Sequence, residues 1–346
     1  MISFECDYNN GAHPKVLEHL VQTNGIQSLT YGFDEWSEQA KAKIRHACQD
    51  ETADVFLLVG GTQTNTTVID GLLPSVEAVI SVETGHISVH ESGAIERSGH
   101  KVITLPSHEG KMHAADLRAF MQAFEADESR DHLAQPGMVY LSLPTELGTL
   151  YTAQEIEQIH AVCQTYGLKL YVDGARLGYA LAASNGDITL PWLSRHCDAF
   201  YIGGTKVGAL CGEAVVFPRG GAPRRFFSII KQHGALLAKG RLAGIQFDAL
   251  FTDDLYLQIS AHAINMAKQL KDILRAAGFT FYLDSPTNQQ FVIIPNALVQ
   301  ALKKQVDFTL WGPYDDNSML CRFVTSWATT AEDLDFLRET LASAKC

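Results

Sequence analysis

Tyr171-Val172-Asp173-Gly174-Ala175-Arg176 closes an apolar run that begins at Leu168, and it ends on a carboxylate followed by a guanidinium. Just upstream, Ile156, Ile159, Val162, Cys163 and Tyr166 recur at the spacing of one helix face, and Gly167 stands where a left-handed cap would end that helix. A helix closed by glycine and followed at once by a short buried strand reads as a crossover between parallel strands. The same alternation runs from about Asp54 to Phe217. Strands are expected at Val55 to Val59, Val79 to Val82, Val102 to Leu105, Met138 to Leu143, Leu168 to Val172, Ala199 to Ile202 and Glu213 to Phe217. A further crossover helix is expected after Asn65, where Val68 stacks over Leu72 and Ile69 over Leu73 before Pro74 stops it. The fold class that follows is α/β, with a mostly parallel sheet covered by helices.

Beyond about Asp253 the pattern changes to a long amphipathic helix reaching Ala277. Strands are then expected at Phe279 to Leu283, Gln290 to Ile294, Phe308 to Trp311 and Leu320 to Ser326. This divides the chain into an N-terminal segment (1–30), a large α/β domain (31–252) and a small C-terminal α+β domain (253–346).

Composition agrees with a folded chain of this size: of 346 residues, 46% are apolar and 19% charged. The net charge of -12 disfavours a grip on nucleic acid or on an anionic membrane surface. Glu5, Asp7, Lys15 and Glu18 interrupt any apolar core a signal peptide would need, and no stretch approaches a membrane span. The seven cysteines include no Cys-x-x-Cys pair, which fits reduced thiols in the cytoplasm, with Cys346 as an exposed end. A soluble, cytoplasmic protein with no membrane or nucleic-acid partner is expected.

The chemistry gathers at strand ends. Asp173 follows a strand expected to be buried on both faces, so its charge would be costly without a cationic partner. Phe200-Tyr201-Ile202-Gly203-Gly204-Thr205-Lys206-Val207-Gly208 places a lysine among apolar and glycine residues straight after a strand. Burial there would lower its pKa and make it a nucleophile toward aldehydes. On this segment alone, a lysine snorkelling from a surface loop fits equally well. Val59-Gly60-Gly61-Thr62-Gln63-Thr64-Asn65, between strand and helix, lets backbone N–H groups converge on an anion. It is neither the Gly-x-Gly-x-x-Gly fingerprint of dinucleotide sites nor a Walker loop, which speaks against a nicotinamide enzyme.

An anion cradle, a carboxylate for a ring nitrogen and a buried lysine for an aldehyde match the handles of pyridoxal 5'-phosphate. In this order they resemble the fold type I pyridoxal-phosphate enzymes. Within these, nearly the whole chain resembles the threonine aldolase and aromatic amino acid β-eliminating lyase family. The resemblance implies that Lys206 carries the cofactor as a Schiff base and that Asp173 keeps the pyridine nitrogen protonated. Gly61, Thr62 and Gln63 would bind the phosphate with a hydroxyl from Thr205, and His86 would stack on the ring. Arg176 and Arg322, with Cys6 where many members have serine, would hold the substrate carboxylate. Tyr31 and Lys239 would reach the site of a neighbouring subunit, which implies a homodimer or homotetramer.

One stretch departs from the family. Its usual Asn-Thr-His-Asn-Gly is here Pro144-Thr145-Glu146-Leu147-Gly148, so Glu146 replaces a histidine beside the cofactor and becomes the candidate acid or base. His86, His90 and Glu91 lack the His-Glu-x-x-His order of a zinc hydrolase, and no metal is expected. The resemblance implies retro-aldol cleavage of L-threonine or L-allo-threonine to glycine and acetaldehyde. The alternative is β-elimination from a β-substituted or aromatic amino acid.

Overall fold

Lys169–Asp173 lies at the centre of a seven-stranded sheet in the computed structural model, which describes residues 2–183 and 187–343. In chain order the strands are β1 (Asp54–Leu58), β2 (Glu77–Val82), β3 (Val102–Leu105), β4 (Gln135–Ser142), β5 (Lys169–Asp173), β6 (Ala199–Gly203) and β7 (Glu213–Phe217). Their spatial order is β1-β7-β6-β5-β4-β2-β3. Every pair is parallel except those of β7, which runs antiparallel to β6 and β1. All expected strands form, with ends shifted by a few residues at most.

Burial on both faces explains why these runs are nearly continuous in apolar residues. Tyr171 packs into one core with Tyr140 and Tyr201, while its neighbour Val172 enters the opposite core with Leu141 and Phe200. The Ala153–Tyr166 helix starts with a reciprocal capping box between Thr152 and Glu155 and ends on Gly167 at φ 70°.

The helix expected after Asn65 instead begins at Gly61 and runs to Leu72. Threonine and asparagine are weak helix formers, so propensity misplaces its start. Tertiary burial of Thr64, Asn65, Thr67, Val68 and Ile69 outweighs that preference. The helix therefore opens on the glycine turn itself.

In the C-terminal region, β8 (Thr280–Phe281), β9 (Gln289–Pro295), β10 (Thr309–Asp315) and β11 (Ser318–Val324) form an antiparallel sheet in the order β10-β11-β9-β8. β10 runs on past Trp311 because its hairpin with β11 pairs as far as Asp315 with Ser318. The Leu255–Ala276 helix joins the two regions. Tyr256, Ile259 and Ala263 pack under the large sheet, whereas Met266, Leu270 and Leu274 belong to the core of the small one. The N-terminus adds Ile2–Ser3 as a parallel pair to Val306–Asp307 and buries Phe4 in that same small core. From there the chain leads Cys6 and Asp7 toward the large sheet. Cys346 lies outside the described residues. Among the described residues, no helix is long and apolar enough to cross a membrane.

Candidate active site

All the sites expected from sequence except Tyr31 and Lys239 converge beside the C-terminal ends of β4, β5 and β6, where ligands bind in open α/β sheets. Gly60 precedes the Gly61–Leu72 helix in extended conformation and caps it with no side chain. Thr64 N–H donates to the Gly60 carbonyl at 2.9 Å, which leaves the N–H groups of Gly61, Thr62 and Gln63 without acceptors inside the helix. A Cβ at position 61 would stand 3.3 Å from the Tyr201 hydroxyl, so glycine keeps the cradle open. Gln63 Oε1 and Thr64 Oγ1 are buried here without partners. The Thr205 hydroxyl faces Glu213 here: Oγ1 donates to Glu213 Oε1 at 2.8 Å and accepts from Gly212 N–H at 3.1 Å.

Asp173 sits in a dense network. Its Oδ2 accepts from Tyr140 Oη at 2.5 Å and from Asn65 Nδ2 at 2.9 Å, and its Oδ1 accepts from Ala175 N–H at 2.9 Å. Burial opposes its charge, but His86 and the hydroxyls of Tyr140 and Tyr201 outweigh that and hold its pKa below the ordinary value. An ionised carboxylate is what a protonated ring nitrogen needs.

Lys206 lines a cavity of roughly 670 Å³ with Tyr8, His86, Glu146, Arg176, Trp311 and Arg322. Its Nζ lies 5.7 Å from the centre of the Tyr8 ring. Burial and then the charge of Arg176 push its pKa down, against the pull of Asp7, Asp173 and Glu213. The lysine is thus not a snorkelling surface residue. The loop that carries it rests on Glu213, which accepts Gly204 N–H at 3.1 Å as well as the Thr205 hydroxyl. Burial pushes the Glu213 carboxyl up to about 8, even though Thr205, Lys206 and Gly204 all favour the anion.

His86 opens a short turn of helix at the cavity wall, and its backbone N–H donates to Glu146 Oε1 at 2.9 Å. Ser142 Oγ donates to the same oxygen at 2.6 Å, while Glu146 Oε2 is buried without a partner. Burial raises the Glu146 pKa against the opposing effect of the Ser142 bond. The His86 ring is held from behind: Nδ1 lies 2.7 Å from Glu91 Oε1, which also accepts from Asn65 Nδ2 at 2.7 Å.

Arg176 is gripped by Asp7 through Nε and Nη2 at 2.7 and 3.0 Å, and Asn288 Nδ2 donates to the same carboxylate at 2.9 Å. Despite burial, Arg176 and Lys206 keep Asp7 below the usual carboxylate range. Arg322 donates to Gln289 Oε1 at 3.1 Å and to Thr309 Oγ1 at 3.2 Å, and its guanidinium lies 5.0 Å from the Trp311 ring centre. Its Nε is a buried donor with no acceptor. Burial, and then the charge of Arg176, lower its pKa to about 10. Two guanidiniums that repel each other in one cavity form a site for an anion. Cys6 is buried beside them, its thiol pKa raised first by burial.

Tyr31 and Lys239 stand apart from this cavity. Tyr31 lines a separate apolar groove with Phe33, Phe227 and Leu237, its backbone N–H donating to Ala238 O at 3.0 Å, and Lys239 is exposed. Sequence reasoning missed the roles of Asp7, Asn65, Glu91 and Glu213. A carboxylate opening the otherwise apolar Glu213–Phe217 run was a usable signal. For Asp7 and Arg176, 169 residues apart, the sequence held none.

These residues fit pyridoxal phosphate. The uncapped helix start and the unpartnered Gln63 and Thr64 side chains suit a phosphate. Asp173 suits a pyridinium, and Lys206, buried with its pKa pushed down, suits an aldehyde.

A family model described as beta-eliminating lyase matches residues 22–325, and members of that family depend on pyridoxal phosphate. The low specificity L-threonine aldolase of Pseudomonas aeruginosa is 29% identical over 343 residues, which cover 97% of this chain and 95% of that protein. The solved structure of Leishmania major threonine aldolase is 40% identical with a TM-score of 0.94, over 100% of this chain and 99% of that one. Aspartate aminotransferase from Thermus thermophilus, at 13% identity and a TM-score of 0.71 over 99% of this chain and 91% of its own, shares the fold alone. With the matched span taking in the glycine cradle, Asp173, Lys206 and Arg322 together, the chain belongs to the beta-eliminating lyase family and has the fold type I architecture of pyridoxal-phosphate enzymes.

Proposed function

We propose that this protein is a threonine aldolase: it cleaves L-threonine or L-allo-threonine to glycine and acetaldehyde. The observation that carries the reading is that one cavity collects Lys206, Arg176, Arg322 and Glu146. A free amino acid offers the matching groups, an amine for the lysine site and a carboxylate for the arginines. When bound on Lys206, pyridoxal phosphate supplies an electron sink for the pair left on Cα as the Cα–Cβ bond breaks. The protein does the rest. Asp173, held ionised, keeps the ring nitrogen protonated. Asp7 locks Arg176 so that its remaining N–H groups meet one face of the substrate carboxylate, and Arg322 Nε finds there the acceptor it lacks. Glu146 takes the β-hydroxyl proton at Oε2. Its raised pKa makes the ionised form a stronger base, and desolvation keeps that base reactive. The hydroxyl oxygen then leaves within the aldehyde as its carbonyl oxygen.

The active unit is taken to be a homodimer or homotetramer in the cytoplasm, with Tyr31 and Lys239 serving a neighbour's site. Support comes from exposed apolar residues that line that groove: Phe33 is 56% exposed and Phe227 38%. Apolar surface gathered like this fits an interface with a second copy. The direct test supplies L-threonine, L-allo-threonine and a β-substituted alanine, and measures acetaldehyde, glycine and pyruvate separately. Glycine and acetaldehyde in equal amounts are expected. Pyruvate without glycine would replace the aldolase with a β-eliminating lyase.

A further inference from the structure

Behind the His86 ring lies a carboxylate for which the aldolase reading has no use. Glu91 is 4% exposed, and its Oε1 meets His86 Nδ1 and Asn65 Nδ2, both at 2.7 Å. Asn65 is equally buried. Its Nδ2 also donates to Asp173 Oδ2 at 2.9 Å, and its Oδ1 accepts from Tyr171 Oη at 2.8 Å. We propose that Glu91 is a positioning residue that fixes the tautomer and charge of His86 and, through Asn65, locks it to Asp173 as a single unit.

The bare economics of burial favour this over a packing role. A carboxylate buried with one oxygen unpartnered is costly unless a cation faces the other, and Glu91 Oε2 is such an orphan. The backbone between the two residues brings it there. The His86–Val89 turn of helix closes at His90, whose N–H donates to the His86 carbonyl, and the single turn sets Glu91, five positions on, against the ring. Because an ionised carboxylate only accepts, Nδ1 carries a proton in both charge states of His86. The change of charge therefore falls on Nε2, the nitrogen away from Glu91.

The ionisable groups around His86 are Glu91, Asp173, Glu146, His90 and Lys206. Burial disfavours the imidazolium, but the Glu91 bond and the charges of Asp173 and Glu91 raise the His86 pKa above its ordinary value, with Lys206 opposing them. Removing the Glu91 charge should reverse that balance. An adjacent opposite charge commonly shifts a pKa by about one to three units.

The inference rests on the cofactor reading only for its catalytic meaning, so its test uses cofactor-free protein. Histidines labelled with 13C are titrated by NMR, and among the thirteen in the chain His86 is assigned as the signal lost in His86→Asn. Glu91→Gln should lower the His86 pKa by at least about one pH unit, and Glu91→Asp should restore part of it. In the loaded enzyme, Glu91→Gln should lower kcat about tenfold or more and move the acidic limb of its pH profile, with little change in KM. An unmoved His86 titration in Glu91→Gln, whether or not the variant is less stable, would reduce Glu91 to packing and overturn the proposal. Failure of the cofactor to attach to Lys206 would instead overturn the functional reading and leave the titration result standing.

Discussion

Replacing Glu213 with glutamine should make the cofactor-free protein more stable, and increasingly so as the pH rises. Glu213 is 3% exposed under the lysine loop, and burial lifts its pKa from an ordinary 4.5 to about 8. Below pH 4.5 the carboxyl is protonated in both folded and unfolded chains, so it contributes no pH dependence. Between pH 4.5 and 8 the unfolded chain releases the proton while the folded one retains it. Folding then loses about 1.4 kcal/mol per pH unit, which amounts to roughly 3 kcal/mol at pH 7. Glutamine carries no such penalty, and its amide can match the bonds of the neutral acid. Its oxygen would accept Gly204 N–H, and its nitrogen would donate to Thr205 Oγ1, whose proton is free to rotate away. Urea unfolding of both proteins at pH 5, 6, 7 and 8 measures the difference directly. An advantage for Glu213→Gln that is small at pH 5 and grows with pH is expected. If the variant is less stable at pH 8, or the difference does not change with pH, then Glu213 is ionised and pairs with Lys206, and the reasoning fails.

Further outcomes follow from the same geometry. Asp173→Asn should retain cofactor, because the glycine cradle and Lys206 are untouched, yet lower turnover by orders of magnitude; a near-normal kcat would make Asp173 structural. Glu146→Gln should slow release of acetaldehyde at least about a hundredfold while cofactor affinity, followed by fluorescence titration, barely changes. Equal rates would send the search for the base elsewhere. Lys206→Ala and Lys239→Ala subunits, each inactive alone, should regain part of the activity when dissociated together and reassembled, since a mixed dimer restores one complete site. Activity confined to a monomeric fraction would rule out the shared site.

Much of this was legible in the sequence because it is local. The β5 run and the Lys206 loop each join a buried strand to a chemical group within a few residues, and hydrophobic period suffices to place both. The Gly61–Leu72 helix was misplaced at its start because Thr62, Thr64 and Asn65 are poor helix formers whose state is decided by what packs over them. What stayed hidden is tertiary. Asp7 meets Arg176 in a chain whose N-terminus pairs beside Val306–Asp307, and Asn65 bridges Glu91 and Asp173 from three separate parts of the chain. No spacing rule connects such residues. Glu146 is intermediate: its departure from the family pattern marked it, but its unpartnered oxygen and its bonds to His86 and Ser142 needed the fold.

The central claim is that Lys206 is the residue that binds the cofactor. Purified protein is incubated with pyridoxal phosphate, reduced with borohydride, digested and mapped by mass spectrometry, with Lys206→Ala treated in parallel. A single phosphopyridoxyl adduct on the peptide holding Lys206, absent from the variant, is predicted. An adduct on another lysine, or none after saturation with the cofactor, would contradict it.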